Sequence, residues 1–121
     1  MEPLRFIGYW RSDEQPEYPH PLDFVDVGWD DDERDFVAHY LRHGGVTRAY
    51  MGYSPCRVCN KRDNGNLQLT NGVCAWPRGL AHYVTEHAVR PPGEFVEHAF
   101  SREEALGAAE VDEQWWRAQQ C

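Results

Sequence analysis

The sequence predicts a small α+β domain: a short antiparallel sheet built on a hairpin, a zinc knuckle, and three to four helices. Three observations predict it. The run "LQLTNGVCAW" sets Asn-Gly, the strongest short hairpin signal, between two apolar segments, so Leu67–Thr70 and Val73–Trp76 should pair. The runs "DDDERDFVAHYLR" and "PRGLAHYVTEHAV" carry apolar residues at helical spacing. Ahead of the hairpin lies "SPCRVCNKRDNGN", a Cys-x2-Cys pair on turn sequence.

The elements follow in chain order. "LRFIGYW", Leu4 to Trp10, reads as a first strand, and the three prolines of "DEQPEYPHP" make an extended connection, since proline fixes φ and lacks a donor. "LDFVDVGW" alternates imperfectly and reads as an irregular strand. A helix then starts at a capping box, Asp30 with Glu33, where acids crowd the positive end of the helix dipole. Its apolar stripe is Phe36, Val37, Tyr40 and Leu41, and Gly44 is its stop. "VTRAYMGY", Val46 to Tyr53, is a strand leading into the cysteines. After the hairpin, Pro77 suits the first turn of a helix whose buried face is Leu80, Tyr83, Val84 and Ala88, ended by "RPPG". Glu94–Phe100, then a segment capped by Ser101 with Glu104, form a helical tail whose Trp115 and Trp116 should pack back on the domain.

A chain of 121 residues suits one domain with one core, and 41% hydrophobic with 13% aromatic content is not the composition of a disordered chain. No apolar run approaches the roughly 18 residues that span a membrane, and "MEPLRFIGYW" lacks the apolar stretch of a signal peptide. The expected compartment is therefore the reducing cytoplasm, with Cys56, Cys59, Cys74 and Cys121 as thiols or metal thiolates and the terminal Cys121 incidental. Charge divides the domain. Residues 1–35 carry eleven acids and three bases, residues 36–93 two acids and seven bases, and residues 94–121 seven acids and two bases. An acidic N-terminal segment (1–35) and an acidic helical tail (94–121) thus flank a basic middle containing the zinc-bearing core (46–93). The flanks can pack over that middle and neutralise it, or the middle can meet an anionic partner.

The two central cysteines admit three chemistries. A redox pair needs its first cysteine at a helix N-terminus, and "NKRDNGN" is turn sequence instead. A zinc deaminase needs an upstream His-x-Glu, but two places after His20, His39 and His43 stand Leu22, Leu41 and Gly45. A structural metal remains. With His82 and His87 on the following helix the pattern becomes Cys-x2-Cys-x22-His-x4-His, within the spacing of Cys2His2 zinc sites. On an ideal helix the two histidines stand about 140° apart and roughly 7.5 Å along the axis, so both reach one ion only if the helix tightens or bulges or if His87 lies at its end. Cys74 is a rival ligand in a Cys3His set, although a strand cysteine is often a small core residue. His39 and His43, one turn apart on the first helix, are a second pair without an evident third ligand.

Two functions follow from a Zn2+ site. Four protein ligands close the coordination and make a zinc-stabilised interaction module. Its basic face would hold Arg57, Lys61, Arg62 and Arg78, with Arg90, Trp76 and Tyr83 near, for an anionic protein surface, a phosphate or a nucleic acid strand. The alternative is a small zinc-dependent hydrolase with an open metal position and Glu86 or one freed histidine as base. A third reading, acidic flanks that mimic nucleic acid, is weakened because many of the early acids serve a helix start.

The run "CRVC", followed by "LTNGVCAWPRGLAHYVTEHAVRPP", resembles a group of small uncharacterised bacterial proteins with a CRxC, TDG, WPxGLxHYVxxHxV layout, over roughly residues 40–97. Locally the knuckle is similar to treble-clef and zinc-ribbon sites. The chain has Asn71 where that layout has Asp; if the Asp were catalytic, this departure would count against an enzyme.

Overall fold

The computed structural model describes residues 3–52, 55–62 and 64–119. Tyr53, Ser54, Asp63 and Cys121, which figure in the sequence expectations, lie outside the described residues. The elements run β1 (Arg5–Phe6), α1 (Asp31–Arg42), β2 (Gly45–Ala49), β3 (Leu67–Thr70), β4 (Cys74–Pro77), α2 (Leu80–His87), α3 (Gly93–Gly107) and α4 (Glu113–Arg117). This is the expected α+β class, with a four-stranded sheet in the order β1-β4-β3-β2.

The Asn-Gly turn closes the β3–β4 hairpin, with Thr70 opposite Ala75 and Leu69 opposite Trp76. Gly72 takes φ +91°, and Asn71 Oδ1 accepts from the amides of Val73 and Cys74 at 3.0 and 2.8 Å. Asn71 Nδ2 donates to the Tyr40 hydroxyl at 2.9 Å, tying the turn to α1. Asn71 is thus a turn and docking residue here. β2 pairs antiparallel to β3 with a bulge at Thr47.

β1 makes the sheet mixed. Only Arg5 and Phe6 form the strand, and they pair parallel to Cys74 and Ala75. The expected strand from Leu4 to Trp10 is cut short because Gly8 turns the chain at φ +74°, where a Cβ would press on the Leu80 methyls at 2.8–2.9 Å. The proline-bearing segment is a folded loop, closed by the Arg11 amide donating to the Pro19 carbonyl at 2.9 Å. In place of the irregular strand, Pro21–Phe24 is a 3-10 turn, and Val25 alone bridges to Val89.

α1 begins at the expected cap, with half of the capping box formed: Asp30 Oδ2 accepts from the Glu33 amide at 2.9 Å, while the Glu33 carboxylate pairs with Arg90 at 3.3 Å. Val37, Ala38 and Leu41 are buried, with Phe36 and Tyr40 at the margin. The helix ends at Arg42, and Gly44 owes its size to packing, since a Cβ there would stand 2.8 Å from the Trp76 ring. Trp76 is fully buried at the centre of the core, and its Nε1 donates to the Leu41 carbonyl at 2.9 Å. Pro77 ends β4 opposite Gln68, so α2 starts three residues later than its proline suggested.

The tail departs most from expectation. α3 runs unbroken through Ser101, because Phe95, Val96 and Ala99 are buried and Phe100 stacks on Phe36 at 4.4 Å. Tertiary packing holds the helix past the cap signal, and its 15 residues extend about 22 Å. That length carries α4 beyond the core, so Trp115 and Trp116 are 63% and 72% exposed and do not pack back.

Candidate metal centre

Cys56 and Cys59 lie on a loop that closes on itself: the Cys56 amide donates to the Lys61 carbonyl at 2.8 Å and the Asn60 amide to the Cys56 carbonyl at 3.0 Å. Asn60 takes the left-handed φ of +62°, a conformation Asn tolerates better than most residues. The loop is pinned to α2 by the Arg57 amide, which donates to the Tyr83 hydroxyl at 2.7 Å. Burial, the largest influence, pushes the Tyr83 phenol up to about 12, so it stays neutral and available as an acceptor.

His82 and His87 both face this loop. His82 is in the first turn of α2 and His87 is its last residue. The Ala88 amide bonds to the Tyr83 carbonyl five residues back, and the Val89 amide reaches the same oxygen at 3.2 Å. This closing turn is wider than an α-turn, which reduces the ideal angular offset between the two histidines. Ala88 then leaves the helix in the left-handed region at φ +51°. Of the alternatives that the spacing left, the structure takes the helix end: His87 is the last residue of α2, and the wide turn closes behind it.

The result is a cluster of four donors. Cys56 Sγ stands 3.5 Å from His87 Nε2, and Cys59 Sγ stands 3.3 Å from His82 Nε2. All four donor atoms lie within 4.8 Å of one another, and among the described residues no other group of three or more His, Cys, Asp or Glu is close enough to share an ion. A tetrahedral Zn2+ with Zn–S of about 2.3 Å and Zn–N of about 2.05 Å has S···N edges of about 3.5 Å. Both measured edges fit that figure, so the four residues are placed to hold one metal ion. Burial, together with the charges of His87 and Lys61, pushes His82 below the ordinary imidazole value and favours the neutral ring a metal needs.

Exposure differs around the cluster: Cys56 is buried, the two histidines are half-buried, and Cys59 is exposed. Cys74 stands apart on β4, a buried core thiol whose pKa desolvation raises, and it is not among the four. His39 on α1 and His43, the cap residue after it, have tilted rings with centroids 4.2 Å apart and no third donor among the described residues, and His43 Nδ1 lies 2.7 Å from the His39 carbonyl.

The proposed basic rim divides. Arg90 is paired with Asp26 and Glu33, both at 3.3 Å, so the acidic segment does neutralise it. Arg57, Lys61, Arg62 and Arg78 are exposed and have no carboxylate within bridging distance among the described residues. Trp76 and Tyr83 are both buried, so they offer no stacking surface beside these cations. The sequence did not reveal Asn60 and Ala88, whose positive φ shapes the two halves of the centre, because neither is glycine.

Searches of protein-family models, curated proteins and solved structures return no match to this chain. Among the described residues, no helix is long and apolar enough to cross a membrane.

Proposed function

We propose that the protein is a zinc-stabilised interaction module in which Cys56, Cys59, His82 and His87 hold one structural Zn2+ and Arg57, Lys61, Arg62 and Arg78 receive an anionic partner. The observation that carries this reading is the pair of tetrahedral-edge distances, 3.5 and 3.3 Å, between thiol and imidazole donors on two separate elements. Two thiols and two imidazoles suit zinc better than the oxygen-seeking cations, and such a set is stable in the reducing cytoplasm we assign to it. Four donors fill a tetrahedral ion and leave no position for a substrate. A hydrolase using Glu86 would need one of them released, and none stands away from the other three.

The ion's role is to join the 56–61 loop to α2, presenting Arg57, Lys61 and Arg62 on a fixed loop beside Arg78. These cations attract an anionic protein surface or phosphate-bearing chain chiefly by charge, so binding should weaken as salt rises. Metal analysis of the purified chain should give about one zinc per molecule, bound through two sulfurs and two nitrogens in X-ray absorption. A substoichiometric ion, or a spectrum with one sulfur, would refute the assignment. For the rim, a heparin column should retain the parent more strongly than the double variant Lys61→Ala/Arg78→Ala, and equal elution would remove the anionic partner from the reading.

A further inference from the structure

Beyond Phe100 the tail leaves the domain. Every described side chain from Ser101 to Gln119 is exposed, and this stretch holds Leu106, Val111, Trp115 and Trp116. Apolar residues scattered singly on a surface need no explanation, but a cluster that includes two adjacent indoles marks a surface another molecule covers.

The charge of the tail says what that molecule is like. Glu103, Glu104, Glu110 and Asp112 form no ion pair among the described residues, whereas Glu113 is bridged to Arg117 at 3.3 Å. Residues 94–121 carry seven acids and two bases, so a complementary surface is basic. This chain bears one itself: Arg57, Lys61, Arg62 and Arg78 are exposed and lack carboxylate partners among the described residues. Lys61 and Arg78 border an open hollow of about 310 Å³ at the start of α2. Arginines suit indoles as well as acids, because a guanidinium is attracted to the face of a tryptophan.

The course of α3 makes this a contact between molecules. Phe95, Val96 and Ala99 bury its first half and Phe100 stacks on Phe36, yet the helix runs unbroken to Gly107. From Ser101 onward every side-chain hydrogen bond among the described residues stays within the tail, so nothing ties it to the rim of its own chain.

We propose that the protein forms a reciprocal dimer in which the tail of each copy, led by Trp115 and Trp116, lies on the basic rim of the other. Each copy gives one tail and receives one, so the pairing closes. At 63% and 72% exposure, the two indoles offer roughly 300 Å² per tail. Two tails and the two surfaces they meet then cover roughly 1,200 Å², the lower end of a specific interface. The inference rests on the rim proposed above and names its anionic partner as a second copy; it does not require the ion to be zinc.

The test is sedimentation of the full metal-bearing chain in reductant, so that no cysteine cross-links copies, from about 1 to 100 µM, a range suited to a small interface. The parent should rise from 14.1 kDa toward twice that mass, and high salt should weaken the association by about tenfold. Trp115→Ser/Trp116→Ser and Lys61→Glu/Arg78→Glu change only exposed residues, and each should stay monomeric alone. Mixed together they keep one tail and one rim that match, and should form a heterodimer. A parent that stays monomeric, a Lys61→Glu/Arg78→Glu variant that dimerises like the parent, or a mixture without heterodimer overturns the reciprocal pairing. Heparin keeps the two readings apart: Trp115→Ser/Trp116→Ser has a rim no tail covers, and retention there that depends on Lys61 and Arg78 upholds the rim even if the dimer fails.

Discussion

Substituting Cys59 by alanine separates the ion's contribution to stability from that of packing. Cys59 is exposed, so the change opens no core cavity and buries no new polar group, whereas Cys56→Ser would set a hydroxyl in a fully buried position. An ion held by the four donors would tie Cys59 to His82 across an intervening 22 residues. Treated as a cross-link, closure of a loop of this length removes chain entropy equivalent to about 3 kcal/mol. Against a total stability of about 5–15 kcal/mol for a small domain, that is a large share. For a chain of this size it corresponds to a fall in Tm of about 10 °C. The assay is thermal unfolding by circular dichroism on the parent and Cys59→Ala, with metal content measured on the same samples. Loss of the metal without a change in Tm beyond about 2 °C would refute the reasoning, since the Arg57–Tyr83 bond and the Cys56 burial would then hold the loop unaided.

Three other outcomes follow from the geometry. Cys74→Val should leave the metal content at the parent value, because Cys74 fills the sheet core; metal loss in elemental analysis would restore it as a ligand. Asn71→Asp keeps the acceptor for the Val73 and Cys74 amides, and the Tyr40 hydroxyl can turn to donate to its carboxylate, so it should melt close to the parent, while Asn71→Ala should cost about 1–2 kcal/mol in a denaturant titration; equal losses in both would mean that the bonds accepted from the turn amides contribute nothing. The Tyr83 phenol is raised from 10 to about 12, so its stabilising contribution is whole below pH 10 and is lost as pH rises through 12. Difference absorbance at 295 nm between the parent and Tyr83→Phe should show a transition near pH 12, and one near pH 10 would show that the phenol is not held by burial.

Local signals carried well from sequence to structure. The Asp30–Glu33 cap, the Asn-Gly turn and the Cys-x2-Cys spacing each act over a few residues, and each formed where its residue types predict. What was illegible depends on distant partners. Nothing in "LRFIGYW" says that only Arg5 and Phe6 pair, or that they lie parallel to β4. Ser101 is a sound cap in isolation, and the stacking of Phe100 on Phe36 overrides it. The exposed Trp115 and Trp116 reverse the usual inference from hydrophobicity, because a continuous helix moves them away from any core surface. The histidine geometry was legible as a requirement, and the wide closing turn at Tyr83–Ala88 supplies it through a non-glycine residue that sequence rules would not nominate.

The parallel pairing of Arg5 with Cys74 has a consequence for the order in which the molecule assembles. The β3–β4 hairpin and α2 are neighbours in the chain, so their contacts close early and cheaply, and the cysteine loop need only fold back onto α2. β1 must return across almost seventy residues to gain a ladder of two, and the entropy of closing so long a loop is met late. Relative to the hairpin, the N-terminal segment is therefore expected to dock later and open sooner, its amides exchanging ahead of those of β3 and β4. Trp10 and Tyr18 belong to that segment, so the aromatic cavity that they line with Phe24 and Leu80 opens from the chain's beginning, while the half that carries the four donors stays closed.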